Sequence, residues 1–278
     1  MGKIKHDKYY TPSRIARSVI DIAVRTIGKE NITEFIEPSA GNGVFLNHLP
    51  DTAVAYDIEP EDDRIIKQDY LELELDYKAG RVVIGNPPFG NRNNLARKFC
   101  NKSFEIAEYV AFIMPISQLN NTQSIYKYDL IYSESLGDVY FVDRTIHVCF
   151  NIYKRPIDDN FNKKINYKKV CSKKIEIKEV RRIKGRNKNS DVDVGDFEYD
   201  IGICAWGANI GGICEPKEYA KSFFIKIKDK NNYDKILELI KSADWSKLYP
   251  MTTTPNLLQW HVYKYISDNI NGKENNGY

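Results

Sequence analysis

The residues with the most pointed chemistry are Asn86, Pro87, Pro88 and Phe89. Two successive prolines make a stiff backbone without N–H groups, so carbonyl oxygens are presented with no local donors to quench them. The Asn86 side-chain oxygen and the Pro87 carbonyl can both accept hydrogen bonds from one NH2 group, and Phe89 can stack on the flat ring that carries it. An amine on an aromatic ring is a poor nucleophile, because its lone pair is delocalised. Two acceptors aimed at it favour the pyramidal nitrogen and stabilise the positive charge that develops during attack. No strong general base is required, since the proton becomes acidic only after transfer. This is the chemistry that methylation of an aromatic amine needs. Taken alone, the same tetrapeptide also reads as a rigid turn.

A second group of residues lies upstream. Glu37-Pro38-Ser39-Ala40-Gly41-Asn42-Gly43 places two glycines directly after a strand-like run, where a ligand can approach the backbone closely. The glycine spacing is not that of dinucleotide sites, and no Lys-Ser/Thr follows as a phosphate loop demands. A cofactor without a pyrophosphate is therefore favoured. Asp57 follows Glu37 by twenty residues and ends the next strand-like run, where a carboxylate can accept hydrogen bonds from ribose hydroxyls.

These residues require a scaffold that brings strand ends together. Residues 33–37, 52–57, 81–85 and 109–114 read as buried strands, with a short helix near 44–49 and longer helices over 95–107 and 122–135. Short apolar runs alternating with amphipathic helices indicate an α/β fold, with a doubly wound, mostly parallel sheet covered on both faces. Residues 138–142 and 146–153 are close enough to form a hairpin, which puts one antiparallel strand at or near the sheet edge.

The motifs resemble, in order and spacing, those of the amino methyltransferases with an Asn-Pro-Pro-Phe/Tyr signature, especially adenine-N6 DNA methyltransferases of restriction–modification and phage type. The resemblance spans roughly residues 9–154. Tyr9, Tyr10, Thr11 and Pro12, followed by a helix through Ile15, Ala16, Val19 and Ile20, are similar to the family's N-terminal motif that closes over the cofactor. By that resemblance, Glu37, Ser39, Gly41 and Gly43 hold the methionine part of S-adenosyl-L-methionine. Asp57 and Ile58 bind its ribose and cover its adenine. Gln68-Asp69-Tyr70 matches the motif in which the acid contacts the cofactor's adenine amine and the aromatic residue packs on its ring. Asn86, Pro87, Pro88 and Phe89 are the catalytic tetrapeptide, while Met114-Pro115 and the hairpin ending at 148–154 resemble the later motifs. The implied fold is the seven-stranded methyltransferase sheet with its terminal hairpin reversed. Tyr140, Phe141 and His147 lie where the family places a second base-stacking aromatic, but each also reads as a strand residue, and none is assigned to the site.

The signature is shared by enzymes acting on DNA adenine, RNA adenine and protein glutamine. Phe89 argues against the glutamine enzymes, which usually carry Tyr there, and the Tyr-Thr-Pro segment favours double-stranded DNA over RNA. RNA methylation remains an alternative, as does a catalytically idle DNA-binding partner subunit. The presence of Glu37, Asp57, Asp69 and Asn86 together argues against idleness. A duplex target requires the adenine to be flipped out of the stack.

After residue 156 the texture changes, which divides the chain into a catalytic domain, 1–156, and a smaller α+β target-recognition unit, 157–278. The formal net charge of the 278 residues is only +3. Residues 161–190 nevertheless hold twelve Lys or Arg against two Glu, a local excess of +10. Lys168, Lys169, Lys173, Lys174, Arg181 and Arg182 are the expected phosphate contacts, on a basic edge strand. The same run also reads as a solvated face. Trp206 and Trp260 read as core residues, and a helix is expected from Pro255, capped by Thr254, with Leu258, Val262 and Ile266 on its apolar face. Asp191, Asp193 and Asp196 lack the Glu and Gly placement of a calcium loop and read as a turn, so no metal is expected. Five cysteines without a CxxC pair read as reduced thiols. The charged residues 1–8 hold no apolar signal segment, and no run approaches the ~18 apolar residues of a membrane span. The expectation is a soluble, cytoplasmic protein.

Overall fold

In the computed structural model, which describes residues 10–120, 125–141, 144–181, 194–216, 220–250 and 255–270, the first regular element is helix α1 (Ser13–Ile27). The Pro12 carbonyl accepts the Ile15 and Ala16 N–H groups at 2.8 and 3.1 Å, which starts the helix at a fixed point. Ala16, Val19, Ile20, Ala23 and Ile27 recur at helical spacing and are buried, so one face of α1 joins the core.

Strands β1 (Glu34–Glu37), β2 (Val54–Asp57), β3 (Ile66–Lys67), β4 (Lys78–Gly85), β5 (Ala107–Pro115), β6 (Asp129–Phe141) and β7 (Arg144–Lys154) form one sheet in the order β3-β2-β1-β4-β5-β7-β6. The pairings from β3 through β5 are parallel, and β7 runs antiparallel to both its neighbours. This is the doubly wound, seven-stranded sheet with a reversed strand next to its edge. Val82, Val83 and Ile84 of β4 and Val110 to Met114 of β5 are fully buried, as central parallel strands require. Each such side chain contributes about 1.5–3 kcal/mol by leaving water. Arg81, nearly buried, pairs with Glu34 and donates to the Asp76 and Ile106 carbonyls at 2.6 and 2.8 Å. That network holds the register Glu34↔Arg81, which brings the carboxyl ends of β1 and β4 to one level.

Three sequence expectations change here. The two-residue β3 was not anticipated, so the strand that leads into Asn86 is fourth in chain order. The single turn Leu46–His48 is 3₁₀, shorter than the helix expected over 44–49. The helix expected over 122–135 is absent from residue 129 onward, where β6 runs instead. Eleven-residue β7 would otherwise leave an open edge. Leu130, Ile131 and Tyr132 are residue types that favour strands, and they cover that edge by pairing with Tyr153 and Ile152, with register shifts between Leu130/Tyr132 and Ser135/Gly137.

The chain divides into two compact units, Met1–Lys164 and Ile165–Tyr278. Residues just after 156 stay with the first unit. Asn162 N–H donates to the Lys127 carbonyl, Asn162 Nδ2 to Asp129 at 2.7 Å, and the Phe161 ring meets Tyr128 edge-on.

The second unit contains α3 (Tyr167–Val170), β8 (Ile175–Arg181), β9 (Ile201–Cys204), β10 (Lys221–Ile227), α4 (Tyr233–Ser242), α5 (Trp245–Leu248) and α6 (Gln259–Ile270). Its antiparallel sheet has the order β8-β10-β9, so β8 is an edge strand. Phe223, Ile225, Ile240, Trp245, Val262 and Ile266 form the core between sheet and helices. Helix α6 starts at Gln259, not at Pro255. Pro255 and Leu257 instead bond to the Gly207 and Ala205 backbone, and Asn256 bridges Trp206, so that segment is extended. Thr254 lies outside the described residues. Leu257 takes the buried place expected of Leu258. Trp260 is half-buried against Tyr249 and His261, whereas Trp206 is 44% exposed and is not a core residue. The tryptophan that fills the core is Trp245, with its Nε1 donating to the Ile240 carbonyl. Trp245→Ala is expected to destabilise the protein by about 3–5 kcal/mol in urea denaturation, and Trp206→Ala by no more than about 1 kcal/mol.

Candidate cofactor and catalytic site

A cavity of about 270 Å³ opens at the carboxyl ends of β1, β2 and β4. That is where open α/β sheets bind ligands, because loops diverge from the strand ends and leave a crevice. Of the expected site residues, Tyr10, Thr11, Glu37, Ser39, Gly41, Asp57, Ile58, Asp69, Tyr70, Asn86 and Pro88 line it. Pro12, Gly43, Pro87 and Phe89 do not. Phe89 is 7% exposed and packs in the main core, so in this conformation its ring is not on the cavity wall. Tyr9 lies outside the described residues.

The glycine turn is built by local bonds. Gly41 and Gly43 have φ of 53° and 74°, conformations in which L side chains are strained. Both Asp57 carboxylate oxygens hold the turn in place, accepting Gly41 N–H at 2.8 Å and Glu59 N–H at 2.8 Å. Ala40 N–H donates to the Tyr56 carbonyl and Glu61 N–H to the Gly41 carbonyl, stitching the turn to β2 and to the loop that follows it. Asp57 thus shapes the site before any ligand arrives. Each of its oxygens keeps a further lone pair for a hydroxyl.

Glu37 ends β1 and is 1% exposed. Its Oε2 has no hydrogen-bond partner, and burial, aided by the nearby Asp57 charge, pushes its carboxyl up to about 8 despite an opposing bond from Leu46 N–H. A buried acid in that condition is stabilised by a cation brought beside it. Asp69 accepts Leu71 N–H at 2.9 Å and so caps the turn Tyr70–Glu72. Tyr70 stacks on Phe99 with ring centroids 5.5 Å apart and shares a hydrogen bond with Ser103 at 2.9 Å, which fixes a flat apolar wall. Asn86 is tied to both motifs before it. Its Nδ2 donates to Thr11 Oγ1 at 3.1 Å, and Ser39 Oγ donates to its carbonyl at 3.3 Å.

Sequence reasoning missed several wall residues: Val44, Phe45, Leu71, Leu95 and Phe99. Leu95 and Phe99 belong to α2 (Asn94–Ile106), where i, i+4 spacing signals only a buried face. Nothing in their types separates a cavity wall from a core.

The basic residues are not gathered at one point. Lys168 and Lys169 sit on α3 and Lys173 and Lys174 in the turn after it, at one end of β8, while Arg181 is at the other end and pairs with Glu179. A seven-residue strand separates those ends by roughly 20 Å. Arg182, Asp191 and Asp193 lie outside the described residues. Tyr140 is exposed on β6, Phe141 is fully buried, and His147 faces Asp138 at 3.4 Å. Among the described residues no group of three His, Cys, Asp or Glu is placed to hold a metal, and no helix is long and apolar enough to cross a membrane. All five cysteines are buried.

No protein-family model matches the chain, and no curated protein matches it. Solved structures similar to it include the type I restriction-modification system methyltransferase subunit from Streptococcus thermophilus, at 15% identity and a TM-score of 0.40, covering 54% of this chain and 46% of that one. The 23S rRNA methyltransferase ErmE is 14% identical with a TM-score of 0.40, over 54% of this chain and 70% of its own. N-methyltransferase NodS from Bradyrhizobium japonicum is 8% identical with a TM-score of 0.37, over 51% of this chain and 95% of its own.

Proposed function

We propose that this chain is an S-adenosyl-L-methionine-dependent methyltransferase that acts on the N6 amine of adenine in nucleic acid, with double-stranded DNA as its substrate. The observation that carries the proposal is one cavity holding both a buried, cation-seeking Glu37 and the Asn86 amide at adjoining strand ends. S-adenosyl-L-methionine, when bound, supplies an electrophilic methyl group on a positively charged sulfur, together with an ammonium group.

The residues present fit such a ligand. Glu37 offers the negative partner, and the side-chain-free Gly41 admits close approach to the backbone. Asp57 offers acceptors for ribose hydroxyls, and Asp69 with Tyr70 and Ile58 frames a flat ring. Asn86, on the cavity wall, accepts one N–H of the adenine amine, and the Pro87 carbonyl, which is not on the wall in this conformation, accepts the other once the amine is seated. That interaction strengthens as the nitrogen becomes positive, so it stabilises the transition state more than the bound substrate. The spare proton then leaves to solvent. Phe89 stacks on the adenine only after its ring swings from the core toward the cavity. Because Asn86 lines the cavity at the carboxyl end of the central strand β4, a duplex adenine must be extruded from its stack to reach it.

The test is incubation with methyl-labelled cofactor and either duplex DNA or total RNA, followed by nucleoside analysis. N6-methyladenine in DNA is the expected product. Label in RNA alone would remove the DNA assignment, and label in neither would remove the enzyme assignment. Lys168, Lys169 and Lys173 are proposed as phosphate contacts. Lys168→Glu combined with Lys169→Glu is expected to weaken oligonucleotide binding regardless of sequence and to reduce the salt dependence by about one to two phosphates' worth, measured by fluorescence anisotropy against salt.

A further inference from the structure

Asn86 is held by two segments distant from it in the chain. Thr11, 75 residues away, accepts from its side-chain Nδ2 at 3.1 Å, and Ser39 donates to its carbonyl at 3.3 Å. Thr11 is itself fixed. It is 5% exposed, and the next residue, Pro12, starts α1, whose Ala16, Val19 and Ala23 are fully buried. The Thr11 hydroxyl is therefore a rigid point relative to the sheet, although it comes from the N-terminal segment.

An asparagine amide has a donor edge and an acceptor edge, and rotation of its terminal torsion exchanges them at little cost. Only the acceptor edge stabilises an amine that is becoming positive; the donor edge would oppose it. A hydroxyl anchored beside Nδ2 occupies the donor edge and leaves Oδ1 on the opposite side. Oδ1 is buried from bulk water, where its electrostatic effect on a bound amine is strongest. We infer that Thr11 is a positioning residue, whose hydroxyl orients the Asn86 amide for methyl transfer, a role distinct from lining the cofactor cavity. This rests on the adenine methyltransferase reading above.

Thr11→Val keeps the branched shape and removes the hydroxyl, whereas Thr11→Ser keeps the hydroxyl. With an adenine-containing duplex as substrate, Thr11→Val is expected to lower kcat by about ten- to a hundredfold, with KM for the duplex and Kd for S-adenosyl-L-methionine within about threefold of the parent. Thr11→Ser is expected to restore most of kcat. In the protein without cofactor, the Asn86 side-chain NH2 protons, identified by their loss in Asn86→Ala, should exchange with solvent faster in Thr11→Val than in the parent or in Thr11→Ser. Unchanged kcat in Thr11→Val, a loss confined to Kd, failed rescue by Thr11→Ser, or unchanged proton exchange would each overturn the role of Thr11. An active parent beside a Thr11→Val of undiminished kcat removes that role alone, while a parent that methylates no adenine removes the function itself.

Discussion

Asn86→Ala is expected to bind S-adenosyl-L-methionine within about threefold of the parent and to lose on the order of 10²–10³-fold in kcat, the scale seen when one transition-state hydrogen-bonding group is removed. The separation follows from where Asn86 sits. The glycine turn is built by hydrogen bonds to Asp57 and to the backbone of Tyr56 and Glu61, whereas the Asn86 side chain donates to Thr11. Isothermal calorimetry reads the first quantity and single-turnover methyl transfer the second. Loss of cofactor binding equal to the loss of turnover would mean that Asn86 is part of the cofactor pocket and not the acceptor for the amine. Asn86→Asp separates shape from charge, since it retains acceptors but cannot donate to Thr11 while ionised.

Glu37→Gln is expected to weaken cofactor binding by 100-fold or thereabouts, on the order of 3 kcal/mol for a buried charge pair with one partner removed, while raising the stability of the free protein. Both effects come from the same desolvated carboxyl. Glu37 is held at about 8 in the folded chain and returns to an ordinary carboxylate value when unfolded. Between those values the folded state binds the extra proton, so stability falls as pH rises from about 4.5 to about 8. The stability gained by Glu37→Gln should therefore grow across that window and level off above it, reaching a few kcal/mol. Thermal melts of the two proteins at several pH values measure this. Cofactor binding runs the other way. A cation beside Glu37 favours the ionised form, so the parent should release a proton on binding at pH 7 and bind more tightly as pH rises toward 8. Binding heats in buffers of different ionisation enthalpy count that proton. A pH-independent Kd in the parent would remove Glu37 as the cation's partner.

Much of this was legible before any coordinates. Residues 82–84 are apolar without alternation, as a strand buried on both faces requires, and they lie in β4, where all three are fully buried. Glu37 and Asp57, each at the end of a buried run, converge because parallel strands end at one edge. The misreadings are equally specific. Residues 129–135 carry no turn or cap that marks them as strand; β6 exists because β7 presents an edge to be paired. Trp206 is apolar enough for a core, yet its backbone is drawn into a bridge with Asn256, leaving the ring outside. Phe89, adjacent to Pro87 and Pro88, packs in the core and does not line the cavity in this conformation. Local sequence cannot distinguish those outcomes, because each depends on a neighbour distant in the chain.

What the amino-acid order determined by itself is therefore the set of reactive groups and their strand ends. Stiff prolines after a buried strand, glycines after another, and carboxylates at fixed intervals are local properties of the chain. Only the tertiary structure decided how those groups face one another. It buried Glu37 without a partner for Oε2, gave Asp57 to the glycine turn, and set the Thr11 hydroxyl against Asn86. Burial and long-range hydrogen bonds are what shift an acid's proton affinity or fix an amide's orientation. Both arise from packing among segments up to 75 residues apart.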